Sequence, residues 1–97
     1  MATYVALFNW TDQGVKNARD SVNRVNQTQS MFESMGVNIK TIVWTQGGYD
    51  LVGIVEAPDD ETMATAVLRL AGAGNVRTTT LRGFSAEEMG KILSNLG

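Results

Sequence analysis

The side chains best suited to chemistry in this 97-residue sequence are the adjacent Tyr49 and Asp50, behind a Gly47-Gly48 pair. A phenol can donate a proton or orient a substrate, and a carboxylate acts as a base when burial raises its pKa. If both open a strand their side chains point to opposite faces, so they do not form a single dyad. The structural alternative has Asp50 closing the turn or pairing with Arg77 or Arg82, with the Tyr49 hydroxyl on a neighbouring backbone. A second group, Asn9, Trp10, Thr11 and Asp12, stands where a strand hands over to a helix. Side-chain amides and the free N–H groups of a helix start can converge on a ligand there. The competing reading is that Thr11 or Asp12 caps the helix and Trp10 fills the core edge. A third group lies on a threonine-rich run, where Thr78, Thr80 and Arg82 have one parity. A cation with hydroxyls on one strand face suits a carboxylate, although charge on an edge strand also discourages aggregation.

Composition narrows the chemistry sharply. The chain has no cysteine and no histidine, which excludes disulfides and thiolate sites and removes the commonest general base and metal ligand. No metal and no cofactor are expected. With 8 basic and 10 acidic residues the net charge is −2, without long runs of either sign. There is no basic footprint for nucleic acid or anionic lipid. No apolar run approaches the roughly 20 residues that span a bilayer, and the N-terminus lacks a secretory layout, so a cytoplasmic protein is expected. The Gly72-Ala73-Gly74-Asn75 stretch follows a helix and precedes a strand, the reverse of a dinucleotide fingerprint, and reads as a helix terminator.

Periodicity gives the secondary structure that carries these groups. Thr3–Trp10 is β-branched and aromatic, with Tyr4, Ala6, Phe8 and Trp10 on one face and Val5, Leu7 and Asn9 on the other. Val15, Ala18, Val22, Val25, Phe32 and Met35 then keep helical spacing, interrupted around Thr28 and Gln29 and ended by Gly36. Asp20 and Ser21 predict a break near residue 20. Strands over 38–46 and 49–56 flank the glycine pair as a hairpin. Asp59 predicts the cap of a helix over 59–72, whose buried face is Met63, Val67 and Leu70, widened by Ala64, Leu68 and Ala71. A fourth strand runs over 76–84. Ser85 and Glu88 then form a capping-box pattern ahead of Met89, Ile92, Leu93 and Leu96. The order βαββαβ plus a terminal helix predicts an α+β, ferredoxin-like sandwich of one domain. Helices on one side leave a sheet face carrying apolar side chains, so the sheets are expected to pair face to face in a homodimer or higher oligomer.

Four ordered strings carry a family resemblance: Asn9-Trp10-Thr11 with Gly14, Gly48-Tyr49-Asp50, Glu56-Ala57-Pro58-Asp59-Asp60, and Gly74-Asn75-Val76-Arg77-Thr78 with Thr80-Leu81-Arg82. Together they resemble the GYD domain family from about residue 3 to 93. The resemblance implies a ferredoxin-like subunit similar to the dimeric α/β-barrel group, whose members pair through their sheets. Three functions stay open at this level. One is a module holding a small anionic or aromatic metabolite near Asn9, Trp10, Tyr49 and Arg82. The others are a cofactor-free isomerase or monooxygenase using Tyr49 and Asp50, and an assembly subunit without a ligand.

Overall fold

The computed structural model describes every residue from Met1 to Gly97. Its elements are β1 (Ala2–Trp10), α1 (Asp12–Lys16), α2 (Ser21–Ser34), β2 (Asn38–Trp44), β3 (Leu51–Ala57), α3 (Asp60–Gly72), β4 (Val76–Gly83) and α4 (Ala86–Ser94). A 3₁₀ turn over Ala18–Asp20 separates α1 from α2, which is the predicted break. The sheet order is β2-β3-β1-β4 with every neighbouring pair antiparallel. This is the ferredoxin-like α+β arrangement with an added C-terminal helix.

Alternation along β1 sends Tyr4, Ala6 and Phe8 into the core, where they meet Leu51, Val55 and Ala57 of β3. Phe32 of α2, Met63 and Ala66 of α3 and Val76 of β4 close the same core. The other face of the sheet carries Val5, Leu7, Val52 and Ile54, half-buried, with Val43 and Leu81 about half exposed. In β2 a bulge at Lys40 breaks the alternation, so that Ile39 and Ile42 register with Val55 and Gly53 and both face the helices.

Three expectations are corrected. The hairpin strands end at Trp44 and begin at Leu51, leaving Tyr49 and Asp50 in a six-residue connection over 45–50. There the Thr45 N–H donates to the Asp50 carbonyl (2.8 Å) and the Thr45 hydroxyl to the Tyr49 carbonyl (2.6 Å), so the chain closes a wider loop than a two-residue turn. The first helical face also holds only in part. Val15 and Val22 are exposed and Ser21 is buried beside a half-buried Thr28, whereas Phe32 is buried and Ala18, Val25 and Met35 half-buried as the spacing predicts; the 3₁₀ turn between α1 and α2 breaks the count. On α3, Leu68 is 71% exposed and Ala64 exposed; the buried stripe is Met63 and Ala66, flanked by Val67 and Leu70.

Several local signals act as the sequence predicts. The Thr62 N–H donates to the Asp59 carboxylate at 2.8 Å, capping α3 and holding the Asp59 carboxyl below its usual pKa. Ser85 and Glu88 form the full capping box of α4, and the Ser85 N–H lowers the Glu88 pKa in the same way. Yet α4 buries none of its residues: Leu93 is 55% exposed, and Leu96 just beyond the helix is 78% exposed.

Candidate functional site

The corner between β1 and α1 is a staple between distant segments. Thr11 is the N-cap: its hydroxyl accepts from the Gly14 N–H (3.1 Å) and donates to the Gly74 carbonyl (2.5 Å), while its own N–H donates to the Asn75 carbonyl (3.1 Å). The Gln13 amide adds bonds to the Ala73 carbonyl and the Asn75 side chain, each 3.1 Å. Gly14 is required by closeness rather than by φ, since a Cβ there would lie 1.9 Å from the Asn75 carbonyl oxygen. The Gly74 terminator, with φ +86°, thus also anchors the start of the first helix.

Of the corner residues proposed as ligand contacts, only Trp10 faces the interior. Asn9 is exposed, pairs with Arg77 across the sheet and lies on the open face; Asp12 is exposed in the first turn of α1. The Asp50 carboxylate accepts the Trp10 N–H (2.8 Å) and the Asp50 N–H donates to the Phe8 carbonyl (2.8 Å), so this residue fastens the hairpin to the end of β1. Tyr49 is 37% exposed, and neither Tyr49 nor Asp50 lines a cavity.

Thr78, Thr80 and Arg82 do share a face, in an open groove of about 520 Å³ between β4 and α3. The groove is not a free cation site. Asp60 lies in it and accepts the Tyr4 hydroxyl. The Arg82 guanidinium stacks 4.8 Å from the centre of the Phe84 ring and 5.6 Å from that of Tyr4, sits 3.8 Å from the Glu88 carboxylate, and donates to the Thr3 and Gly83 carbonyls. Burial, reinforced by the Asp60 bond and charge, pushes the Tyr4 pKa up to about 12.

The better-formed cavity, about 240 Å³, opens between α2, the end of α3 and the sheet. Phe8, Trp10, Ile39, Ile42, Leu51 and Val76 form its floor, and Val25, Met31 and Leu70 its apolar walls. Two cations, Arg24 and Arg69, line it with Ser21, Gln27, Thr28 and Asn75, and no carboxylate does. Arg24 is held by the Asn17 (2.6 Å) and Gly14 (3.3 Å) carbonyls, and neither arginine makes an ion pair. Ser21 is buried and its oxygen accepts the Trp44 indole N–H at 2.9 Å. Sequence reading missed Arg24, Arg69 and Ser21. The available signal was the interruption of the apolar stripe: Ser21, Val25, Thr28 and Phe32 are themselves at helical spacing, and two polar residues on an inward face leave room instead of packing.

The comparisons with known proteins bear on this framework. The GYD domain matches residues 4–93. The chain belongs to the GYD domain family. Among curated proteins, this GYD domain is 32% identical over 90 residues to a glutamine synthetase and cystathionine beta-lyase binding protein of Thermus thermophilus, covering 92% of this chain and 95% of the relative. Among solved structures it is similar to the crystal structure of TTHA0845 from Thermus thermophilus, with a TM-score of 0.58 and 25% identity over 89% of this chain and 96% of that one. The Gly48-Tyr49-Asp50 string of this GYD domain lies within the matched residues, at the connection that Asp50 ties to β1. No helix of the domain is long and apolar enough to cross a membrane.

Proposed function

We propose that this GYD domain is a cytoplasmic, self-associating binding protein that holds a small metabolite in the cavity between α2, the end of α3 and the sheet. The observation that carries the reading is the cavity lining: mostly apolar side chains with a few polar groups among them, the usual constitution of a small-molecule site. Trp10 supplies part of that lining, Thr11 fixes the corner that shapes it, and Arg82 and Thr80 belong to the neighbouring groove. Catalysis by Tyr49 and Asp50, in the manner of a cofactor-free isomerase or monooxygenase, is the less favoured reading, because both side chains lie off the cavity and the Asp50 carboxylate is engaged by the Trp10 N–H.

Self-association is supported by the open sheet face, where Val5, Leu7, Val43, Val52, Ile54 and Leu81 form an apolar surface that no helix covers. Binding of a protein partner is a second reading. It is supported by the exposed apolar side of α4 and by the Thermus thermophilus relative, which is named as a binding protein for two enzymes.

Native mass spectrometry of the protein as purified, followed by a metabolite screen, tests the first reading. An oligomer that carries or acquires a small molecule is expected, and Thr28→Trp, which fills the cavity from α2, should abolish the added mass while leaving the oligomer intact. Bare subunits throughout, with no compound taken up from the screen, would refute metabolite binding; a monomer would refute the pairing of sheets.

A further inference from the structure

We infer that the α2–α3 cavity selects a small aromatic carboxylic acid, its ring against Phe8 and Trp10 and its carboxylate between Arg24 and Arg69. The inference rests on the metabolite-binding reading and adds the chemical class of the ligand.

Charge is the first argument. Arg24 and Arg69 both line the cavity, no acidic residue does, and neither arginine is paired with a carboxylate elsewhere. An anion in the cavity meets two cations and no carboxylate, whereas an amine is repelled and a neutral head group gains no charge-assisted bond of comparable strength. The two arginines are prepared differently. Arg24 is half-buried, with its guanidinium fixed on two backbone carbonyls that consume two of its five donors and leave its charge unneutralised. Arg69 is exposed on the last turn of α3 with no ion pair, free to close over a bound anion. A planar guanidinium matches a carboxylate in a two-bond fork, which a lysine would not do. Ser21 adds a neutral donor: its oxygen is occupied by the Trp44 indole N–H, leaving its own O–H to give.

Shape supplies the second argument. At about 240 Å³ the cavity is smaller than pockets that enclose drug-sized molecules, which run from about 300 Å³ upward, so the ligand body is about one ring. Phe8 and Trp10 offer aromatic surfaces, and Met31 a thioether, all of which favour an aromatic partner over an equally large alkyl group.

The test is titration of the full chain with phenylacetate, phenylacetamide and 2-phenylethylamine, one ring with an anionic, a neutral and a cationic head. Binding is followed by tryptophan fluorescence, because Trp10 lies in the cavity floor, and checked by calorimetry. Phenylacetate should bind at least tenfold more tightly than the amide, and the amine should not bind. Arg24→Gln with Arg69→Gln should bring phenylacetate down to the affinity of the amide. Since Arg24 also holds the α1–α2 junction, Arg69→Gln alone is the second variant, expected to weaken phenylacetate several-fold with amide binding unchanged. Lys91→Gln, which removes the same charge from α4, should change neither. Amide or amine binding as tight as phenylacetate would overturn the carboxylate class while leaving the cavity a binding site. If none of the three binds at millimolar concentration, the aromatic carboxylate class falls, and the metabolite screen alone then decides whether the cavity is a site.

Discussion

Replacing Gly14 by alanine sets two physical effects against each other, and their magnitudes decide the sign. Gly14 lies within α1, and helix propensity alone predicts that alanine stabilises by about 1 kcal/mol. The new Cβ, however, would stand 1.9 Å from the Asn75 carbonyl oxygen and 2.9 Å from its carbon, both backbone atoms that cannot rotate away, and must reach at least 3.0 Å. The loop has to retreat, and its retreat lengthens the bonds from the Thr11 N–H to Asn75, from the Thr11 hydroxyl to Gly74 and from Gln13 to Ala73. Losing three such bonds costs about 3 kcal/mol at about 1 kcal/mol each, so the net effect is a destabilisation of about 2 kcal/mol. In a domain of this size that lowers Tm by about 10 °C. Urea denaturation of both proteins at one protein concentration measures it, with the concentration fixed because any assembly couples to folding. Unchanged or increased stability for Gly14→Ala would show that the loop yields freely and would refute the staple.

Asp50→Ala should cost about 1–3 kcal/mol in the same urea assay by leaving the Trp10 N–H without its acceptor, while Tyr49→Phe should stay within about 0.5 kcal/mol. Under the proposed pairing of sheets, the wild-type protein should sediment as an oligomer in analytical ultracentrifugation and Ile54→Lys, which places a charge in the middle of the open sheet face, as a folded monomer with the circular dichroism spectrum retained; a wild-type monomer would refute the pairing. The Glu88 carboxyl is held below its usual pKa, so its contribution to α4 is present at neutral pH and is lost as the pH falls through that lowered value; amide NMR of residues 85–94 should show α4 fraying in acid, and Ser85→Ala should show it already at pH 7. Tyr4 has the opposite sign. With its pKa raised from 10.0 to about 12, its stabilising effect is complete below pH 10 and disappears as the pH climbs through 12, so alkaline unfolding should be less steep in Tyr4→Phe.

Much of the fold is legible because burial repeats with the period of each element. The even residues of β1, the Asp59 cap and the Ser85–Glu88 box each depend on neighbours within about four positions, which a sequence displays directly. The candidate site is legible only in part, because its walls come from β1, α2, β2, α3 and the loop after it. Trp10 could be singled out by type and place; Arg24, half-buried beside Val25, and Arg69, exposed on α3, could not, since only the packing of α2 against the end of α3 makes both line one cavity. The error on the first helix has a definite cause. The 3₁₀ turn at Ala18–Asp20 interrupts the helical count, so the stripe holds for Val25, Phe32 and Met35 on α2 but misses Ser21, which is buried where the spacing predicts Val22. The bulge at Lys40 defeats alternation in β2 in the same manner.

The near-isolation of α4 has a thermodynamic consequence. A helix that buries no residue is held by its own hydrogen bonds, its capping box and the link between Arg82 and Glu88, and so it opens at a free energy well below that of the whole domain. Its amides should exchange with solvent orders of magnitude faster than those of β1 and β3, whose backbones pair on both sides in the middle of the sheet. Nine residues make a helix too short to persist in water without help from packing. The C-terminal segment is therefore a separately melting unit, and whatever covers Ile92, Leu93 and Leu96 would announce itself as slowed exchange confined to that unit, with the protection of the sheet unaltered.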